Sequence, residues 1–242
     1  MAHPDQLQFV GFVSRFAPQH FARSRVLEIG SLDIRGSVRM FFAEPARYVG
    51  IDLAAGPGVD RVCLGHEFHE DEGRWDAVLS CESFEHNPHY RETFTNMIRL
   101  ARPGALVLFT CAAVGRPEHG TSRTSPEASP LTVERGWTYY RNLSQRDFPQ
   151  AELKEAFDEH AFFRNFRYAD LYFAGLKRGA SERDRAAFGD MRILLTAYYR
   201  AGNRRPQYLL QQATLVILER LGPIGILVNS LRRRLLRKST PR

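Results

Sequence analysis

The 242-residue chain contains no run of about 20 uninterrupted apolar residues, which argues against a membrane span. Cysteine is scarce. Cys63, Cys81 and Cys111 lie far apart, are odd in number and show no CxxC spacing, which argues against a disulfide framework or a zinc site. Each falls in an apolar, strand-like context that suits a reduced core thiol. No basic region followed by an apolar core opens the chain, so no signal peptide is expected and the expected location is cytoplasmic. Acidic residues are missing from residues 220–242, which carry Arg220, Arg232, Arg233, Arg234, Arg237, Lys238 and Arg242. Those charges account for the whole formal excess of +7, so the basic character belongs to a tail and not to a nucleic-acid-binding body.

What is present is ordinary for a globular protein: 43% hydrophobic and 25% charged residues, enough for a sizeable core in one domain with extensions or in one and a half domains. Phe9, Val10, Val13 and Phe16 share a helical stripe over Pro4 to about Phe21. Val26–Ile29 predicts a buried strand ending at Gly30, a turn then leads to a short helix from about Gly36, and Tyr48–Ile51 predicts a second strand closing on Asp52. Asp60–Cys63 and Trp75–Ser80 predict a third and fourth strand. Tyr90–Arg102 predicts a helix stopped by Pro103-Gly104, and Ala105–Thr110 is a continuous apolar run suited to a central parallel strand. Beyond a Gly-, Pro-, Ser- and Thr-rich stretch, Asp147–His160 predicts a helix, and Phe162–Arg167 with Leu171–Lys177 an antiparallel hairpin. Ser181 caps a further helix, Pro206 opens another and Pro223 ends it. The alternation implies an α/β fold with a doubly wound, mostly parallel sheet, residues 1–179, and a helical extension, residues 180–242.

Three stretches carry the chemistry. The first is Arg25–Asp52, with Glu28, Gly30 and Ser31 at the end of one strand and an acid, Asp52, closing the next, an arrangement suited to ribose hydroxyls. The second is Ser80-Cys81-Glu82-Ser83-Phe84-Glu85-His86, leaving the fourth strand. The third is Leu100–Ala105. In this order they resemble class I S-adenosylmethionine-dependent methyltransferases of the small-molecule type, with an ExxEH segment at Glu82–His86 and an LxPGG-like segment in which Ala105 replaces a glycine. The family's usual later glycines are replaced by Leu32 and Ile34, and the acid usual near the adenine by Leu64.

The resemblance implies a seven-stranded Rossmann-like sheet and S-adenosylmethionine as cofactor. Glu28 would hold the methionine ammonium and Asp52 the ribose, with Gly30, Ser31, Leu53, Gly65, His66, Cys81 and Glu82 completing the cofactor contacts. His86 is open to two readings, a general base or a residue that caps and orients its loop, with Glu85 and His119 beside it as catalytic candidates. No resident metal is assigned, although Glu82, Glu85, His86 and His119 together are candidate ligands for a divalent ion. Residues 113–146 are expected to form a substrate loop, with Trp137, Tyr139 and Tyr140 as an aromatic wall or simply packed down. The expected activity is methylation of a small-molecule oxygen, on a sugar or another metabolite. The rival reading is a non-catalytic scaffold of the same fold that docks a partner or a membrane through its tail. For Ile224–Lys238, an amphipathic basic segment, weak peripheral membrane contact stands against packing on the domain or in a homodimer.

Overall fold

A computed structural model describes residues 3–34 and 36–220. The order of elements is α1 (Pro4–Phe16), β1 (Arg25–Ile29), β2 (Arg47–Asp52), β3 (Arg61–Val62), β4 (Trp75–Cys81), α2 (Tyr90–Leu100), β5 (Ala101–Ala112), α3 (Pro130–Glu134), α4 (Gln150–Ala156), β6 (Phe157–Asn165), β7 (Asp170–Lys177), α5 (Glu182–Asn203) and α6 (Pro206–Arg220). The seven strands form one sheet in the order β3-β2-β1-β4-β5-β7-β6. Only β7 runs against the rest, pairing antiparallel with both β5 and β6. This is the Rossmann-like methyltransferase sheet with its closing hairpin, followed by a helical C-terminal region.

The sheet is covered on both faces, which is why its central strands are apolar without alternation. On one face Phe9, Val10 and Val13 of α1 and Phe188, Met191 and Leu195 of α5 pack against Val26, Leu79, Leu106 and Leu108. On the other, Phe94 and Met97 of α2 and Leu153 of α4 meet Leu27, Ile29, Val107 and Phe109. Phe109 stacks between Phe148 and Phe173, with ring centres 4.6 and 5.0 Å away. Side-chain alternation therefore sends Leu27 and Ile29 to one face and Val26 and Glu28 to the other.

Several boundaries differ from those expected. The helix placed near Gly36 is only a 3-10 turn, Val38–Phe41, because Phe42 is already extended and Ala43 bridges to Ala22. The Pro103-Gly104 helix stop lies inside β5. Between the pairs Trp75↔Ala101 and Ala77↔Leu106, β5 takes five steps to two on β4, so Arg102–Ala105 bulge out, with Gly104 at φ +73°. The helix expected over 147–160 stops at Ala156. Beyond it Ala161, Phe163 and Asn165 are buried at alternate positions of an edge strand, a period-two pattern that overrides local helix propensity. Ser181 caps α5 by accepting the amide of Asp184, and Pro206 opens α6. Pro223 and the basic segment 224–238 lie outside the described residues, among which no helix is long and apolar enough to cross a membrane.

Candidate active site

β1, β2 and β4 end on one edge of the sheet, at Gly30, Asp52 and Cys81. The chain divides there to either side of β1, the place where open α/β sheets bind ligands. A cleft open to solvent lies along this edge. Gly30 forms its floor at φ +79°, and a Cβ there would come 2.6 Å from Ser83 Cβ, so only glycine lets the two turns approach. Asp52 stands beside it. One carboxylate oxygen accepts the amide of Leu32 at 2.9 Å and the other that of Leu53 at 2.7 Å. Burial raises its pKa, and the two amides pull it back.

Of the expected cofactor contacts, Gly30, Asp52, Leu53, Gly65, His66 and Glu82 line the cleft, and Glu28, Ser31 and Cys81 do not. Glu28 points to the other face of the sheet, where its carboxylate accepts the Tyr48 hydroxyl at 2.7 Å. Burial pushes its carboxyl up to about 7, against that bond. Ser31 is spent on packing: its Oγ lies 2.6 Å from where a Cβ on Gly50 would sit, so it presses the first turn against β2. Cys81 is buried among the α1-side core, and burial pushes its thiol up to about 12.

Glu85 and His86 occupy a 3-10 turn, Phe84–His86, just beyond β4, and His119 folds back over them. The candidate ligand atoms of these three residues all lie within 4.8 Å of one another. Neither oxygen of Glu85 finds a donor on another described residue, and His86 Nδ1 has no partner among them. Burial, then repulsion from Glu82, raises the Glu85 pKa; burial, then His119, holds His86 well below the usual imidazole range. Burial and Arg116 lower His119 to about 4, and its Nδ1 lies 3.0 Å from the Pro117 carbonyl.

Glu82, expected in the same group, belongs to another. It sits at φ +53° and approaches His3 Nε2 at 3.8 Å, and His3 reaches Asp170 at 2.9 Å. Arg116 pairs with the fully buried Asp170 at 2.7 Å. His3, Arg116 and Asp170 were not singled out from the sequence. His3-x-x-Gln6 forms the capping box of α1, a signal that locates a helix start but not the reach of an imidazole across the sheet. The 113–146 stretch supplies Ala128–Thr132 and Trp137 to the cleft wall. Tyr140 instead packs on His86 and His119, with ring centres 5.5 and 5.0 Å away, and Tyr139 is absent from the lining. The stretch is pinned: the Arg141 amide donates to the Glu85 carbonyl at 2.9 Å and Asn142 to the Arg116 carbonyl at 2.8 Å.

The lining fits an adenosine-bearing ligand: a carboxylate between two turns for a diol, apolar Leu53 and Leu64 for a flat ring, and backbone at Gly65 where no side chain intervenes. Residues 1–163 match the sequence pattern of a methyltransferase domain family. No curated protein sequence matches the chain. Among solved structures, a phosphoethanolamine N-methyltransferase 2 of Haemonchus contortus in complex with S-adenosyl-L-methionine superposes with TM-score 0.50 at 18% identity over 71% of this chain, which shows a shared fold. This chain covers 52% of that protein, about half its length. A Burkholderia thailandensis 1,6-didemethyltoxoflavin-N1-methyltransferase gives TM-score 0.48 at 14% identity, covering 72% of this chain and 80% of its own. The N-methyltransferase NodS of Bradyrhizobium japonicum gives 0.45 at 14%, covering 72% and 96%.

Proposed function

The chain belongs to the methyltransferase domain family, and from that membership we propose that it methylates a hydroxyl of a small molecule, such as a sugar or another metabolite. It is an S-adenosylmethionine-dependent enzyme, and residues 1–179 are its catalytic unit, with 113–146 as the substrate loop. The observation that carries this reading is Asp52, held by two backbone amides beside Gly30 inside the cleft. When bound, the cofactor supplies an electrophilic methyl group; the rest falls to the chain. Asp52 holds the ribose hydroxyls, Leu53, Leu64, Gly65 and His66 frame the adenine, and Gly30 and Glu82 face the methionine end. Trp137 and Ala128–Thr132 close the cleft from above, so the acceptor enters between this wall and the turn at Phe84–His86. Holding two reactants in line supplies much of the rate. A hydroxyl must lose its proton as it is methylated, and the imidazole of His86, on the cleft wall, stands ready to take it.

Calorimetric titration with S-adenosylhomocysteine tests the reading. One equivalent should bind and raise the melting temperature by mass action. Asp52→Ala should weaken binding roughly 10- to 100-fold, the worth of hydrogen bonds to a charged group at about 1.5–3 kcal/mol. No binding at millimolar ligand would sink the enzyme and leave a scaffold of the same fold.

A further inference from the structure

Glu85, His86 and His119 gather their ligand atoms in one place, and both Glu85 oxygens and His86 Nδ1 have no partner on another described residue. Glu85 is 0% exposed, and neither of its oxygens meets a donor on another described residue. The other carboxylate buried to that degree does find partners. Asp170, at the same exposure, has Arg116 at 2.7 Å, His3 at 2.9 Å and the Tyr172 hydroxyl at 3.1 Å. A buried carboxylate without donors is costly, and a cation removes that cost.

His119 is arranged as a ligand would be. Its Nδ1 faces the Pro117 carbonyl at 3.0 Å, which keeps the proton there and leaves the Nε2 lone pair free, the outer bond usual for metal-bound imidazoles. His86 is fixed too. Its Cε1 lies 2.6 Å from where a Cβ on Gly120 would sit, and Gly120 at φ +64° leaves that space open. We propose that Glu85, His86 and His119 bind one divalent first-row transition metal ion. Two imidazoles and one carboxylate are the donor set for such ions when open positions remain for other ligands. Neighbouring ligands about 2.1 Å from an ion stand roughly 3.0–3.4 Å apart. One ligand atom of each residue already lies within 4.8 Å of the other two. Of the three ligands His86 lines the cleft, and an acceptor hydroxyl that reaches the ion from there would become more acidic. This last step rests on the methyltransferase reading; the metal site does not.

The test is titration of the full chain, stripped with chelator, with Co²⁺ followed by its visible absorption and with Zn²⁺ and Mn²⁺ by calorimetry. One equivalent should bind, with a cobalt spectrum of nitrogen and oxygen ligands. His119→Ala should weaken binding about 100-fold or more, beyond the 10- to 100-fold worth of an outer partner. His3→Ala, in the neighbouring acid cluster, should leave it unchanged. No binding to the wild-type chain at millimolar ion, binding that survives His119→Ala, or binding removed by His3→Ala each overturns the site. S-adenosylhomocysteine titration of the same samples keeps the two readings apart: nucleotide binding without metal binding overturns only the metal site, and metal binding without nucleotide binding overturns only the enzyme.

Discussion

Glu28 offers the sharpest stability test, because its environment sets both a magnitude and a sign. Burial holds its carboxyl at about 7, against an ordinary 4.5, even with the Tyr48 hydroxyl as donor. At about 1.4 kcal/mol per pH unit, ionising this buried group costs the folded state about 3 kcal/mol relative to the unfolded chain. Below pH 4.5 the group is protonated in both states and contributes no pH dependence. Between pH 4.5 and 7 the folded state binds more protons than the unfolded one, so stability falls as pH rises, and above 7 it levels off. Glu28→Gln keeps an oxygen for Tyr48 and cannot ionise. The new amide N–H₂ adds a constant offset that does not change the slope. Urea unfolding of both proteins at half-unit steps from pH 4.5 to 8 should give a difference that grows by about 3 kcal/mol in favour of the variant. Taking the difference matters, because His86 and His119, held low by burial, titrate through part of the same window in the opposite sense. A difference flat to within about 0.5 kcal/mol would refute the buried-charge reasoning.

Two further outcomes follow from the turns and the tail. Gly30→Ala should lower stability by about 1–2 kcal/mol for the left-handed backbone alone and more for the contact with Ser83, and should abolish the melting shift with S-adenosylhomocysteine; adding Ser83→Gly should recover the contact part but not the backbone part. Deleting 223–242 should leave S-adenosylhomocysteine affinity within about twofold, since among the described residues the last to line the cleft is Trp137 and the sheet is complete at Lys177; co-sedimentation with anionic vesicles at low and high salt then tells salt-reversible membrane contact from apolar packing.

The fold was legible because its main signals are repeated. Val26–Ile29, Trp75–Ser80 and Ala105–Thr110 are apolar runs of strand length, and burial on both faces of the sheet is the reason they do not alternate. The crossovers were less legible. Between β1 and β2 the sequence offers a glycine and a polar residue where a helix starts, yet the bridge of Ala43 to Ala22 leaves room for one tight turn. Residues 157–160 carry Asp158, Glu159 and His160, which look helical in sequence, and only pairing with β7 makes them a strand. Such long-range pairing leaves no local signal.

The site resisted sequence reading for a different reason. Glu82, Glu85 and His86 are spaced as if they shared a helical face, which would place them on one ligand. The chain leaves β4 through Glu82 at φ +53°, however, and only then enters the 3-10 turn holding Glu85 and His86. One left-handed residue thus sends the first acid toward His3 and Asp170 and the second toward His119. Each half is completed from elsewhere. His3 arrives from the N-terminal cap of α1 and Asp170 from the first position of β7, while His119 arrives because the 113–146 stretch is tied back to the Glu85 carbonyl through Arg141. The halves also differ in charge balance: Arg116 and His3 stand against Asp170 and Glu82, whereas no cationic side chain pairs with Glu85 among the described residues. The same motif therefore carries two acids with different surroundings, three residues apart, and the backbone at Glu82 divides them.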